Sequence, residues 1–370
     1  MKIGILTGGG DCPGLNAVVR GVTKAALRKG WEVIGFKDGF KGVVEGRSER
    51  LDDRDVSGIL IRGGTILGTS NTANPFSYTI RPLGSIEAPK DLSGLAVKNL
   101  EKLGVNALVA IGGDGTLNIA YKLHKKGFPV VGVPKTIDND LSATDVTFGF
   151  DSALTVATEA VDRVHTTAES HQRVMIVETM GRYAGWIALR AGIAGGGDII
   201  LIPEIPYRAQ DIAKAVADRR RRGKNFSIVV VAEGARPEKG EMTVTKIVAG
   251  STDPLRLGGV SYKIAGIIEK QINVECRVVV LGHVQRGGEP TPFDRWLATG
   301  FGVKAVELIE KKQFGRMAAL KHYVCESVTL AAAVRKLRRV GKDCQELRTA
   351  VGVGTSLGNA DVQQFRGVAI

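Results

Sequence analysis

The chain has 370 residues, more than one small core accommodates, so two domains of ordinary size are expected. Hydrophobic residues at 44% and charged residues at 24% exclude wholesale disorder, while the net charge of +13 suits a polyanionic partner: nucleic acid, a membrane surface or phosphorylated small molecules. No apolar run reaches the ~18 residues that span a bilayer, and Met1-Lys2-Ile3-Gly4-Ile5-Leu6 breaks at Thr7-Gly8-Gly9-Gly10, too soon for a secretory leader, so a cytoplasmic protein is expected.

In chain order, residues 2–6 read as a strand ending in Gly8-Gly9-Gly10-Asp11. Leu15, Val18, Val19, Val22, Ala25 and Ala26 then recur at helical spacing, with Gly30 closing that helix. A strand resumes at 33–36. Another at 107–111 runs into Gly112-Gly113-Asp114-Gly115 and a short helix that stops at Gly127. Residues 130–133 lead into Pro134-Lys135-Thr136-Ile137-Asp138-Asn139-Asp140. Asp151 or Ser152 caps a helix to about residue 168, and strands follow at 174–177, 199–202, 228–231 and 278–281. Strands alternating with helices of this length mean βαβ units, right-handed crossovers and mostly parallel sheets. The fold class is α/β, with two sheets.

Glycine is 48 of 370 residues, nearly twice its usual share of about 7%. The glycines gather at strand ends, where open parallel sheets bind ligands. Gly8-Gly9-Gly10-Asp11, opening a helix, offers backbone N–H groups that suit phosphate, but it matches neither the dinucleotide fingerprint nor the Walker loop. In Gly112-Gly113-Asp114-Gly115-Thr116, a carboxylate held among glycines suits Mg²⁺ beside a nucleotide's phosphates. Asp138 and Asp140 lie on one side of a loop, where one carboxylate can take a hydroxyl proton, and Lys135 adds a positive charge for a phosphate. Arg173, Arg182, Arg277 (placed ahead of a strand) and Arg286 add guanidinium groups that grip phosphate. Arg219–222 and 335–342 read as solvated helix faces. The four cysteines show no metal-binding spacing and receive no role.

Together and in this order, Gly9-Gly10-Asp11, Gly113-Asp114-Gly115-Thr116, Thr136-Ile137-Asp138-Asn139-Asp140, His171-Gln172-Arg173, Met180-Gly181-Arg182 and Gly282-His283-Val284-Gln285-Arg286-Gly287-Gly288 resemble the 6-phosphofructokinase family, over residues 1 to about 305. The resemblance implies phosphoryl transfer from ATP to the 1-hydroxyl of fructose 6-phosphate. It also implies two Rossmann-like three-layer domains in a homodimer or homotetramer with sugar sites shared between subunits. Residues 1–149 with about 285–335 would form the larger nucleotide- and Mg²⁺-binding domain, about 150–284 the smaller sugar-phosphate domain, and 336–370 a C-terminal extension. By position, Asp138 would be the base, Asp114 the Mg²⁺ ligand, and Gly10, Asp114, Gly115 and Thr116 the nucleotide site. Gly10 and Thr136 would contact the transferred phosphate, with Asp140 and Arg182 supporting that centre. Thr136, Asp138, Met180, Gly181, Glu233, His283 and Arg286 would line the sugar site, and Arg173 and Arg277 would reach its 6-phosphate from a neighbouring subunit.

Some positions depart from the family pattern. Asn71 stands where many members carry an arginine, and Lys135 resembles the diphosphate-using branch whereas Gly115 is the ATP-like residue. The donor is therefore ATP or diphosphate, with ATP favoured because a carboxylate at 115 would repel the α-phosphate. The stretch 235–276 is longer than in compact members, and the tail beyond Phe314 is loosely matched. Arg20, Arg54 and Arg163 resemble parts of an allosteric site. The rival readings are an NAD or lipid kinase, sharing Gly-Gly-Asp-Gly-Thr, and a basic nucleic-acid-binding protein, disfavoured because no aromatic platform is visible. Neither a nucleic acid nor a membrane is expected as partner.

Overall fold

A computed structural model describes residues 1–79, 88–247 and 255–363. Its elements run β1 (Lys2–Thr7), α1 (Leu15–Leu27), β2 (Glu32–Phe36), α2 (Phe40–Glu45), β3 (Ser48–Leu51), α3 (Ser93–Lys102), β4 (Ala107–Gly112), α4 (Asp114–Lys125) and β5 (Val130–Pro134). There follow α5 (Phe150–His171), β6 (Val174–Thr179), α6 (Trp186–Ala194), β7 (Ile199–Leu201), α7 (Ala209–Arg221), β8 (Ser227–Ala232), β9 (Val244–Ile247) and β10 (Leu255–Leu257). The chain ends with α8 (Val260–Ile272), β11 (Cys276–Val280), α9 (Pro292–Glu310), β12 (Arg316–Lys321), β13 (Val324–Thr329), α10 (Leu330–Ala333), α11 (Gln345–Gly352) and α12 (Ala360–Gln363). It divides into two compact units, residues 1–152 with 286–337, and residues 153–247 with 255–285 and 338–363.

The first unit is built on a seven-stranded sheet in the order β13-β12-β5-β4-β1-β2-β3. Its inner strands β1, β4 and β5 are continuous apolar runs because both of their faces are covered. They pair in parallel with Thr7 beside Ile111 and Gly112 beside Pro134, which brings their carboxyl ends level. Leu6, Leu108, Ala110, Leu117 and Leu123 share one buried cluster, which α4 helps to close. On α1 and α9 glycine has a packing reason. A Cβ at Gly21 would stand 2.9 Å from the Thr299 carbonyl oxygen, and one at Gly302 would stand 2.8 Å from that of Val18.

The second unit carries a parallel four-stranded sheet, β11-β6-β8-β7, and the β9–β10 hairpin. Val174, Ile176, Val229 and Val231 pack with Ile212 and Val216 of α7 and Ile264 and Ile268 of α8. Buried Glu178 on β6 accepts the Gly259 N–H (2.8 Å), the Ser261 N–H (2.9 Å) and the Ser261 hydroxyl, satisfying the start of α8. The chain beyond Arg338 packs on this unit. The Trp186 indole donates to the Arg338 carbonyl (3.1 Å), and Glu204 accepts the Val340 N–H (2.8 Å). In the expected long stretch 235–276, residues 248–254 lie outside the described residues, as does 364–370 of the tail.

Several local expectations are corrected. α1 ends at Leu27, and Gly30 turns the chain three residues later with φ 70°. α5 begins at Phe150, so Asp151 and Ser152 lie in its first turn instead of capping it. The Ser152 N–H (2.8 Å) and hydroxyl (2.6 Å) donate to Asp294, buried and raised to about 6 chiefly by burial, and Asp151 accepts the Thr291 hydroxyl. Residues 335–342 are not a helix face: Arg338 stacks over Trp186 at 4.8 Å, a contact that leaves no periodic trace in the sequence. In the other run Arg219 pairs with Asp198 at 2.6 Å, so only Arg220, Arg221 and Arg222 are exposed.

Among the described residues no helix is long and apolar enough to cross a membrane, and all four cysteines are unpaired.

Candidate active site

In the first unit three adjacent strands deliver their following loops to one edge of the sheet: β1 leads to Gly8–Asp11, β4 to Gly113–Thr116 and β5 to Lys135–Asp140. The first turn differs from its expected form. The Gly8 N–H donates to Ile111 (2.9 Å) and the Gly9 N–H to Ser70 (3.2 Å), beside Asn71, so two of its three glycine donors are already used. Nor does the turn open α1, which starts at Leu15 after Gly14 with φ 102°. Its function lies in bare backbone. A Cβ at Gly10 would stand 2.5 Å from Nη1 of Arg286, the same atom that donates to the Asp11 carbonyl (3.0 Å). The Lys135 ammonium donates to the Gly10 carbonyl. Two cations thus rest on the Gly10–Asp11 backbone, one of them contributed by residue 286.

The other glycines divide by purpose. A Cβ at Gly8 would lie 2.6 Å from the Thr116 hydroxyl, and one at Gly112 would also collide with Thr116. Both glycines therefore admit a buried threonine side chain and do not cradle a ligand. Gly115 is different: a Cβ there would meet nothing within 4 Å. Asp114 begins α4 beside this open space, and burial pushes its carboxyl up, opposed by the Asn118 amide at 3.4 Å.

The Thr136 hydroxyl organises the carboxylate loop. It donates to Asp140 (3.1 Å) and accepts the Asp138 N–H (3.1 Å). Asn139, left-handed at φ 51°, accepts the Thr147 N–H (3.1 Å), and the Thr147 hydroxyl donates to the Thr136 carbonyl (2.8 Å). Asp140 is raised to about 7, first by burial, then by the charge of Asp138, with a further contribution from Asp114. Burial in turn lowers Lys135. Among the described residues no three His, Cys, Asp or Glu side chains form a metal-binding group. The donor set instead suits a hard cation that takes one or two carboxylates and completes its shell with water and phosphate oxygens.

This arrangement fixes a pH dependence. A raised pKa means that Asp140 takes up its proton as pH falls through about 7, removing a negative charge beside Asp138. Turnover is expected to decline below that pH, and Asp140→Asn to remove the step. Added Mg²⁺ should move it to lower pH. A pH profile of kcat/KM at two Mg²⁺ concentrations checks both shifts.

In the second unit three adjacent strands again end together. β6 leads to Met180, Gly181 and Arg182, β8 to Glu233, and β11 to the short turn Gly282–Arg286 that exposes His283. The Gly234 N–H donates to the Gly181 carbonyl (3.1 Å), and a Cβ at Gly234 would collide with the Arg182 carbonyl. Gly181 has φ 129°, which favours glycine. The arginine pair lies elsewhere. Arg173 precedes β6 and Arg277 sits inside β11, not ahead of it, both at the amino ends of these strands. Five or six residues of strand, roughly 16–20 Å, separate them from Met180, Glu233 and His283. Both guanidinium groups pair with Glu275, a residue that the sequence reading missed. Its one signal is its place two residues before Arg277, which gains meaning only once β11 lies beside β6. Of the expected effector residues, Arg20 lies half-buried on α1, while Arg54 and Arg163 are exposed.

Comparison with known proteins places this geometry. The family model described as Phosphofructokinase matches residues 2–309. The "ATP-dependent 6-phosphofructokinase 2" of Clostridium perfringens is 54% identical, with 96% of this chain and 98% of that protein covered. The "Pyrophosphate--fructose 6-phosphate 1-phosphotransferase" of Streptomyces coelicolor is 51% identical, covering 92% and 96%. The crystal structure of Pichia pastoris phosphofructokinase in the T-state superposes with a TM-score of 0.77 at 32% identity. That match spans 96% of this chain and 36% of the Pichia chain. The level strand ends, the paired carboxylates and the cations on bare backbone thus sit in a chain that belongs to the phosphofructokinase family.

Proposed function

We propose that the protein is an ATP-dependent 6-phosphofructokinase of the cytoplasm, moving the γ-phosphate of ATP to the 1-hydroxyl of fructose 6-phosphate. The observation that carries this reading is the convergence of Asp114, the Asp138–Asp140 loop and two cations on three adjacent strand ends, beside open space at Gly115. In the reaction Asp138 accepts the hydroxyl proton, the sugar oxygen bonds to the γ-phosphorus and the bond to the leaving ADP oxygen breaks. Thr136, Gly10 and Arg182 hold the transferred group, with Lys135 and Arg286 on the Gly10–Asp11 backbone offsetting charge, so that catalysis is mainly positioning and charge stabilisation. Mg²⁺, held by Asp114 and the donor's phosphates, would neutralise developing charge. Such a cation would also relieve Asp114 and Asp140, both raised first by burial.

Met180, Gly181, Arg182, Glu233 and His283 recognise the sugar, and Arg173 and Arg277 of a second copy hold its 6-phosphate. The strand length between these two sets supports a shared site, since one small sugar phosphate cannot bridge it within one copy. Homodimers or homotetramers meet this requirement. For the donor, the supporting feature is the bare backbone at Gly115. Lys135, already bonded to the Gly10 carbonyl, attracts ATP and diphosphate alike. Assays of fructose 1,6-bisphosphate formation with each donor at matched Mg²⁺ are expected to run faster with ATP. Faster turnover with diphosphate would overturn the donor, and no product with either would overturn the reaction.

Arg173→Ala or Arg277→Ala should weaken fructose 6-phosphate binding by roughly 10–150-fold, the worth of one charge-assisted hydrogen bond, while sparing ATP. Steady-state KM values for both substrates check this; a shift confined to ATP would remove the two arginines from the sugar site. Co-assembly of Arg277→Ala chains with Asp138→Asn chains should restore part of the activity.

A further inference from the structure

The first unit also holds a cavity of about 380 Å³ far from the carboxylate loop. It lies where β5 and β12 begin. The Gly315 N–H donates to the Val130 carbonyl (2.8 Å), and Arg316 stands beside Val131 in parallel register. Lys135–Asp140, by contrast, follow the carboxyl end of β5. α4 spans the same separation: its first residue is Asp114, its last is Lys125 at the cavity, and 12 residues make about 18 Å of helix.

The cavity wall carries His124, Lys125, Lys312 and Arg316 with the rings of Tyr121 and Phe314, and no carboxylate. Among the described residues none of the four basic groups forms an ion pair. Compensation of helix dipoles does not account for them. α4 and α9 both end here, contributing roughly half a negative charge each, against three permanent cations.

The site is also held in place. Arg316 is fixed by bonds from Nε to the Ser327 hydroxyl and from Nη2 to the Ser327 carbonyl, both 2.8 Å. The His124 ring lies against Gly315, at φ 70°, where any Cβ would collide with it. A guanidinium already oriented loses little freedom on binding an anion. The volume falls at the small end of ligand cavities, which suits a metabolite and not a macromolecule.

We propose that this cavity is a second anion site that takes a small phosphorylated ligand. Its phosphate oxygens meet Lys125, whose ammonium lies 5.7 Å from the centre of the Tyr121 ring, together with Lys312 and Arg316, and any ring or apolar portion lies against Phe314. The site stands apart from the transfer centre, so it survives or fails independently of the proposed reaction.

Amide hydrogen exchange of the full chain, with adenosine monophosphate in one arm and inorganic tripolyphosphate in the other, tests it. Either probe should slow exchange in peptides covering 121–126 and 312–316. The more effective probe tells a nucleotide source from an inorganic one. The double variant Lys125→Gln, Lys312→Gln should raise the midpoint of this slowing at least tenfold. Both lysines are exposed, so the ligand-free exchange pattern and the activity without probe should match those of the parent protein. Slowing confined to residues 8–11 and 113–116 in both arms, or an unchanged midpoint in the double variant, would overturn the proposal.

Discussion

Asp138→Asn is expected to lower kcat by roughly 10²–10⁴-fold, the usual contribution of a general base, with little change in KM for either substrate. The substitution keeps the local frame, because the bond from Asp138 to the Thr136 hydroxyl is made by the backbone N–H and not by the carboxylate. The proposed role falls to Asp138 and not to its neighbour for a physical reason. Asp140 is the carboxylate that accepts the Thr136 hydroxyl, and burial together with the Asp138 charge raises it to about 7, so it is already engaged within the loop. Asp140→Asn should accordingly cost less in kcat at pH 8 than Asp138→Asn does. Single-turnover rates of both variants decide the order. An Asp138→Asn enzyme with the parent's kcat would take this residue out of the mechanism.

Gly115→Asp is expected to abolish most ATP-dependent turnover, by roughly a thousandfold. No atom lies within 4 Å of a Cβ built at position 115, so an aspartate fits without steric strain and acts by charge alone. Two unit charges ~4 Å apart interact by about 4 kcal/mol at an effective dielectric of 20, which is close to three orders of magnitude against a donor with an α-phosphate beside that carboxylate. Diphosphate has no third phosphate to repel, so any residual activity with it should be far less affected. Repulsion of one ligand discriminates more sharply than attraction shared by both. The comparison is kcat/KM for the two donors, in the parent and the variant, at matched Mg²⁺. Equal losses for both donors would show that position 115 shapes the site without selecting the donor.

The amino-acid sequence by itself determined the α/β class and the places where chemistry could reside. Each inner strand is a short apolar run, and each run ends in glycines and carboxylates. Those are properties of neighbouring residues, set by backbone freedom and by side-chain periodicity. Asp114, Asp138 and Asp140 were legible in the same way, as carboxylates immediately after buried strands.

What only the tertiary structure decided involves partners far apart in the chain. Gly8 looked like part of a phosphate-binding turn and Gly112 like part of a Mg²⁺-holding one, but both make room for Thr116. Arg286 reaches Gly10 and Asp11 across 275 residues, and Asp294, not a local cap, takes the Ser152 hydroxyl. Arg173 and Arg277 share Glu275 only because β11 pairs with β6, and the same pairing sets them a strand's length from Met180 and His283. Side-chain pattern reports which face of an element is buried. Which element covers that face depends on strand order and packing, which bring together residues that no local window contains.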